Sequence, residues 1–227
     1  MLVCAATLGE LKTYSEEAAR LDLSDDAFFA RSEDGETAYL LTGVGIPLTL
    51  GRLLPLLSDL RPRLVVNIGI AGAYPDSGLS IGDIVLADGE IYGDVGFELP
   101  EAPGFQPLSQ TAMNAGFYGQ PFPTHRAPEY RAEPSDDYRL HVGRGCTVNT
   151  CTGTEAVGRL RARLLGAAFE TMEGAAVAQA GLQHNVPVCE IRAISNIAAR
   201  RDMRPENIAR ALHNLERYLR TCRTTQT

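Results

Sequence analysis

The sequence predicts a single-domain α/β protein built as three layers, α/β/α, around a mixed, mostly parallel central sheet. Three observations carry this expectation. Stretches at residues 2–6, 64–70 and 186–194, the second a near-continuous apolar run, have the length of buried strands. Amphipathic stretches of helical period stand between strand candidates, as crossover connections require. Small-residue turns such as Thr42-Gly43-Val44-Gly45 and Gly69-Ile70-Ala71-Gly72-Ala73 follow strand candidates, where open α/β sheets place their ligands.

Taken in order, residues 2–6 read as a strand, then Thr7-Leu8-Gly9-Glu10 leads into an amphipathic helix reaching about residue 21. Residues 27–31 and 36–42 read as a hairpin turning at Glu33-Asp34-Gly35. The Thr42–Gly45 turn opens a helix to about residue 60, with Pro47 in its first turn. A central strand at 64–70 and another at 82–88 follow. Residues 93–137 interleave Pro and Gly with Phe97, Phe105, Phe117, Tyr118, Phe122 and Tyr130, which predicts either a flap over a planar ligand or a subunit contact. A strand at 139–148 and a polar turn at 150–154 precede a helix at 155–165. The small, apolar run 174–182 predicts a buried helix, 186–194 the last strand, and Leu212, Leu215 and Leu219 a terminal helix over about 205–221. No repeat or linker divides residues 1–227.

Composition excludes several functions. The chain has 227 residues and a net charge of −7, which argues against nucleic acid or an anionic membrane as main partner. No apolar run approaches the roughly 20 residues that span a bilayer, and Met1-Leu2-Val3-Cys4-Ala5-Ala6 lacks a signal peptide's basic start, so the expected location is cytoplasmic. The five cysteines form no CxxC pair, and the four histidines form no H-x-x-x-H pattern. Neither a metal nor another cofactor is expected.

Polar candidates cluster at predicted element ends. Glu170 and Glu173 stand at the mouth of the small-residue helix with no Lys or Arg beside them, and a desolvated carboxylate needs a partner or a task. With Thr171 as cap, Glu173 in the first turn is either a dipole-stabilising residue or a ligand group. Glu10 carries the same two readings. Asn196, beyond the last strand, either caps a turn or faces a ligand. Two carboxylates and an amide on one sheet edge could hold a polyol and a heterocycle; spacing goes no further.

Together, Glu10 after Ala5-Ala6, Thr42-Gly43-Val44-Gly45, Asn67-Ile68-Gly69-Ile70-Ala71-Gly72, Thr171-Met172-Glu173-Gly174-Ala175-Ala176 and Arg192-Ala193-Ile194-Ser195-Asn196 resemble the nucleoside phosphorylase/hydrolase superfamily. Within it the set is similar to methylthioadenosine/adenosylhomocysteine nucleosidases and, closer still, to the futalosine hydrolases of menaquinone biosynthesis. The resemblance covers most of the chain, with 93–137 its weakest part. It implies N-glycosidic cleavage of a purine nucleoside, with futalosine giving hypoxanthine and the base-free ribosyl product, in a homo-oligomer (dimer or larger) without cofactor. It assigns Glu173 to the ribose hydroxyls, Met172 to the sugar face and Glu10 to the attacking water. Gly43, Ile70, Ala71, Gly72, Glu170 and Ser195 would complete the substrate site. The related alternatives are another purine nucleosidase or a phosphorylase; a non-catalytic nucleoside sensor is the alternative from another class.

Asn196 departs from the adenosine-type pattern, which carries Asp. An amide cannot deliver a proton at neutral pH, but its NH₂ can donate to a 6-oxo group while its carbonyl accepts from a protonated N7. That favours hypoxanthine or guanine over adenine. The phosphorylases of the superfamily hold phosphate with an Arg before a Gly-Ser turn; Asn67-Ile68-Gly69-Ile70 has neither, and Glu10 would repel the anion. Arg192, Arg200 and Arg201 are candidates for a substrate carboxylate or for ion pairs at the surface or between subunits.

Overall fold

A computed structural model describes residues 1–113, 115–130, 135–200 and 202–224. Its strands are β1 (Leu2–Ala5), β2 (Phe29–Arg31), β3 (Ala38–Leu41), β4 (Val65–Ala73), β5 (Ile84–Tyr92), β6 (Gly96–Glu98), β7 (Phe105–Pro107), β8 (Leu140–Thr147), β9 (Phe169–Thr171) and β10 (Val188–Ile197). Its α-helices are α1 (Leu8–Leu11), α2 (Glu16–Arg20), α3 (Ile46–Leu60), α4 (Ala115–Tyr118), α5 (Glu155–Leu165), α6 (Gly174–His184) and α7 (Pro205–Thr224).

Eight strands form one mixed sheet in the order β10-β5-β8-β9-β4-β1-β3-β2. Parallel pairings join β1 to β3 and β4, β4 to β10, and β8 to β5 and β9. Antiparallel ones join β2 to β3, β4 to β9 and β5 to β10. Because β10 reaches β4 as well as β5, the strands β4, β10, β5, β8 and β9 close into a ring. Strand alternation sends successive side chains to opposite faces and so builds two main cores. Val3 and Ala5 of β1 meet Leu11, Tyr14 and the Leu215/Leu219 stripe of α7 on one face. Leu2 and Cys4 meet Leu53 and Leu57 of α3 and Val177 and Ala180 of α6 on the other. These are the three expected layers.

Several elements differ from their sequence expectation. The helix expected from Glu10 to about residue 21 is two short ones: the Thr13 hydroxyl donates to the Glu10 carbonyl at 2.7 Å, and Ser15 caps a new start at α2. Strands β4, β5 and β10 run through the small residues and polar ends that read as turns, because each is paired there by a neighbour. Phe169–Thr171 is a strand rather than the lead-in to a helix. In the 93–137 region, β6 and β7 pair as a small hairpin, while Phe122 and Tyr118 pack with Tyr92, Ile46, Ala175 and Ala178. Pro134 and Arg201 lie outside the described residues. Among the described residues no helix is long and apolar enough to cross a membrane.

Candidate active site

The ends of β1, β4, β9 and β10 and the loop after β8 meet at a cavity of about 230 Å³. Gly72 is the meeting point: on one side it pairs with Glu170 of β9, on the other with Asn196 of β10, across a bulge between Ile194 and Asn196. The missing side chain leaves room for the amide, since a Cβ on Gly72 would stand 3.1 Å from the Asn196 Nδ2 and press on it.

Glu10 is held from two directions. Its Oε2 accepts from the Thr7 amide at 2.9 Å and hydroxyl at 2.7 Å, closing a capping box at the start of α1, and its Oε1 accepts from the Ile70 amide at 2.9 Å. Oε2 is thereby filled, while Oε1 keeps acceptor capacity for a water or a substrate hydroxyl. Glu173, only 5% exposed, caps α6 by position, and its Oε1 accepts from the Gly45 amide at 2.9 Å. Gly45 offers that amide from φ +93°, a backbone conformation favouring glycine, so the turn read from Thr42–Gly45 serves to aim a donor at Glu173. Burial pushes the Glu173 carboxyl up to about 7; Arg192 and the Gly45 amide oppose this, and Glu10 and Glu190 add to it.

Asn196 sits at the far wall. The Ser195 hydroxyl donates to its Oδ1 at 3.0 Å, with the Ala71 carbonyl as the alternative acceptor at 3.3 Å. When Ser195 donates to Oδ1, the amide NH₂ remains available to a ligand and Oδ1 keeps a second lone pair.

Glu10, Ile70, Ala71, Gly72, Glu170, Met172, Glu173, Ser195 and Asn196 all line this cavity. Gly43 is not among the lining residues; its neighbour Val44 is. Glu170 contributes a wall but not a free carboxylate, because its oxygens accept from Tyr74 Oη (3.0 Å), the Thr152 amide (2.8 Å) and hydroxyl (2.5 Å), and Arg161 Nη1 (3.0 Å). Its role is to fix the Cys151-Thr152 loop, which sequence reasoning passed over although the polar turn at 150–154 marked it. Val44 (51% exposed) and Met203 (43% exposed) also line the cavity, leaving apolar surface open to solvent.

Arg192 is the main revision. It is 1% exposed and its Nε donates to Glu190 at 2.8 Å, so it is no surface ion pair and has no access to a substrate tail. It lies beneath the site: its Nη1 and the Glu10 Oε1 both crowd the space beside the Gly69 Cα, and it is electrostatically coupled to Glu10 and Glu173. One signal pointed there: Glu190 and Arg192, two apart on a strand, must share a face, and opposite charges on a buried face imply a pair. Arg200 is exposed.

The model of the phosphorylase superfamily matches residues 3–223. The futalosine hydrolase of Thermus thermophilus is 34% identical over 183 residues, 80% of this chain and 79% of that protein. That of Streptomyces coelicolor is 38% identical over 156 residues, 68% of this chain and 63% of that protein. A 5′-methylthioadenosine/S-adenosylhomocysteine nucleosidase of Geobacillus thermodenitrificans is 29% identical over 83% of the chain and 78% of its own length. Among solved structures, the corresponding nucleosidase of Neisseria meningitidis, in complex with methylthio-immucillin-A, superposes with a TM-score of 0.75 at 18% identity, covering 100% of this chain and 98% of that one. A futalosine hydrolase mutant of Helicobacter pylori does so with a TM-score of 0.70 at 16% identity, covering 100% and 98%. The chain belongs to the phosphorylase superfamily and, within it, to the nucleosidases, which are N-glycosyl hydrolases.

Proposed function

We propose that this nucleosidase hydrolyses a 6-oxopurine nucleoside, futalosine first among them, and that Glu10, Glu173 and Asn196 divide the work. The observation that carries the reading is that two carboxylates and a primary amide line one cavity whose described wall holds no Lys or Arg. A phosphate dianion would meet Glu10 and Glu173 there with no cation on the described wall, only the buried Arg192 paired to Glu190 behind them, which favours water as the nucleophile.

In this reading the Glu173 carboxylate grips the ribose hydroxyls and Met172 packs on the sugar. Glu10 orients a water at C1′ and takes its proton as the oxygen bonds to carbon. The C1′–N9 electron pair leaves with the base, and a proton from solvent completes the purine. Positive charge develops on the sugar in such a transition state, and two nearby carboxylates stabilise it. Asn196 receives the departing base by donating to its 6-oxo group and accepting from N7–H. The exposed Val44 and Met203 offer apolar surface to the aromatic tail of futalosine. The same reading places the protein in the cytoplasm as a dimer or larger homo-oligomer.

Incubation of the protein in phosphate-free buffer with futalosine, aminodeoxyfutalosine, inosine and methylthioadenosine tests this. Hypoxanthine release from futalosine well above adenine release from the 6-amino substrates is expected. Strict dependence on phosphate, or preference for adenine, would overturn it.

A further inference from the structure

Four buried carboxyl groups gather around the single guanidinium of Arg192: Glu10 and Glu173 at the site, and Glu190 and Glu90 behind it. The rear pair has no role in the reading above. Glu190 Oε1 accepts from Arg192 Nε at 2.8 Å and from Asn67 Nδ2 at 3.3 Å, while its Oε2 has no donor among the described residues. Glu90 Oε2 accepts from the Thr147 hydroxyl at 2.7 Å, while its Oε1 has no donor among them either. Both residues are at most 1% exposed.

The two carboxyls face the same point: the position that a Cβ on Gly174 would take is 2.6 Å from the Glu90 Oε1 and 2.6 Å from the Glu190 Oε1. Two ionised carboxylates so placed can only accept and repel each other, which favours a proton on one of them. The backbone around them is cut to fit. A Cβ on Gly174 would stand 2.5 Å from the Glu90 Cδ and 2.6 Å from the Glu190 Oε1, and a Cβ on Gly145 would collide with the Glu90 Oε1. The Thr147 hydroxyl that meets Glu90 also accepts from the Ala175 amide at 2.6 Å, which ties the pair to the first turn of α6, next to Glu173.

We propose that Glu90 and Glu190 share one proton, with Glu90 as the acid, and that the pair is a positioning device holding Arg192 between Glu10 and Glu173. The proposal deepens the nucleosidase reading and rests on it for its kinetic consequences. Glu90 is surrounded by Glu190, Arg192, Thr147, Tyr92 and Cys146, and burial together with Glu190 drives its carboxyl well above the ordinary range. With Glu90 neutral, Glu190 anchors the Nε edge of the guanidinium, and the rest of that charge is left to the catalytic carboxylates. Removing the Glu190 charge would free Arg192 to turn toward the catalytic carboxylates and would lower the Glu173 pKa.

Three variants of the whole protein test this. Glu190→Gln is expected to lower kcat by about 10- to 100-fold, the effect of a misplaced catalytic group, and to move the acid limb of the pH–rate profile to lower pH. Glu90→Leu, which removes the shared proton, is expected to lower kcat by about tenfold or more, and Glu90→Gln, whose NH₂ replaces that proton donor, to restore it to within about threefold of wild type with the profile unmoved. An unchanged profile in Glu190→Gln, or a Glu90→Gln variant as impaired as Glu90→Leu, would overturn the proposal. Infrared difference spectra between wild type and Glu90→Gln supply a readout without substrate. At about pH 7 the wild type should show the carbonyl stretch of a buried carboxylic acid that the variant lacks, and absence of that band refutes the shared proton. If the band is present while the wild type releases no base from any purine nucleoside, the nucleosidase reading fails and the carboxyl pair stands.

Discussion

At the scale of single residues, selectivity rests on how Asn196 divides its donors and acceptors. Ser195 can donate to its Oδ1, and the NH₂ has no acceptor among the described residues, so a 6-oxo group completes it. Asn196→Asp would set a carboxylate against that oxygen. Release of hypoxanthine from futalosine at neutral pH should fall roughly 10- to 100-fold, the range of one unmet buried acceptor, while release from 6-amino substrates should rise. Parallel assays on both bases decide it; equal loss on both would mean that Asn196 does not read the base. Glu10, Glu173 and Asn196 stood out in the sequence at element ends, each with a capping or dipole reading beside it; the resemblance selected the ligand reading, and the fold brings all three to one cavity. Arg192 was visible but misplaced, and the carboxyl pair behind it was missed. Glu90 and Glu190 are 100 positions apart, on β5 and β10, which only the sheet makes neighbours.

At the scale of elements, the unexpected behaviour is that of β4. Its Gly69-Ile70-Ala71-Gly72 segment has the composition of a turn, yet it continues as strand because β10 pairs with it through Ala73. Propensity lost to long-range pairing, which no local signal reports. Small residues are needed there for space rather than for bending. Gly69 lies under Arg192 and Glu10, and a Cβ would clash with Arg192 Nη1 and stand 2.5 Å from Glu10 Oε1. Gly69→Ala is therefore expected to cost about 1–3 kcal/mol of stability by overpacking and about 100-fold in kcat by displacing Glu10. Chemical denaturation and steady-state kinetics on the one variant check both; unchanged kcat would show that Glu10 tolerates the shift. The split of the first helix follows similar logic. The apolar spacing from Leu8 onward predicts one helix, but the Thr13 hydroxyl and the Ser15 cap interrupt it, so α1 is a single turn that holds Glu10.

At the scale of the whole molecule, the site is a place where the fold gives up stability. One guanidinium stands against four carboxyls inside the sheet, an arrangement whose desolvation penalty Arg192 offsets only in part. Glu173 makes this measurable. Its carboxyl titrates at about 7 in the folded protein against an ordinary 4.5, so between those values the folded state binds the proton that the unfolded state has released. Stability must then fall as pH rises through that window, with the penalty complete above about 7 and absent below 4.5. Glu173→Gln removes the charge while its amide oxygen can still accept from Gly45. The variant should lose hydrolysis yet gain stability at pH 8, by as much as about 3 kcal/mol, with little gain near pH 4. Denaturant midpoints at the two pH values test the sign. Equal gains at both would trace the effect to packing rather than to a carboxylate held ionised for the sugar.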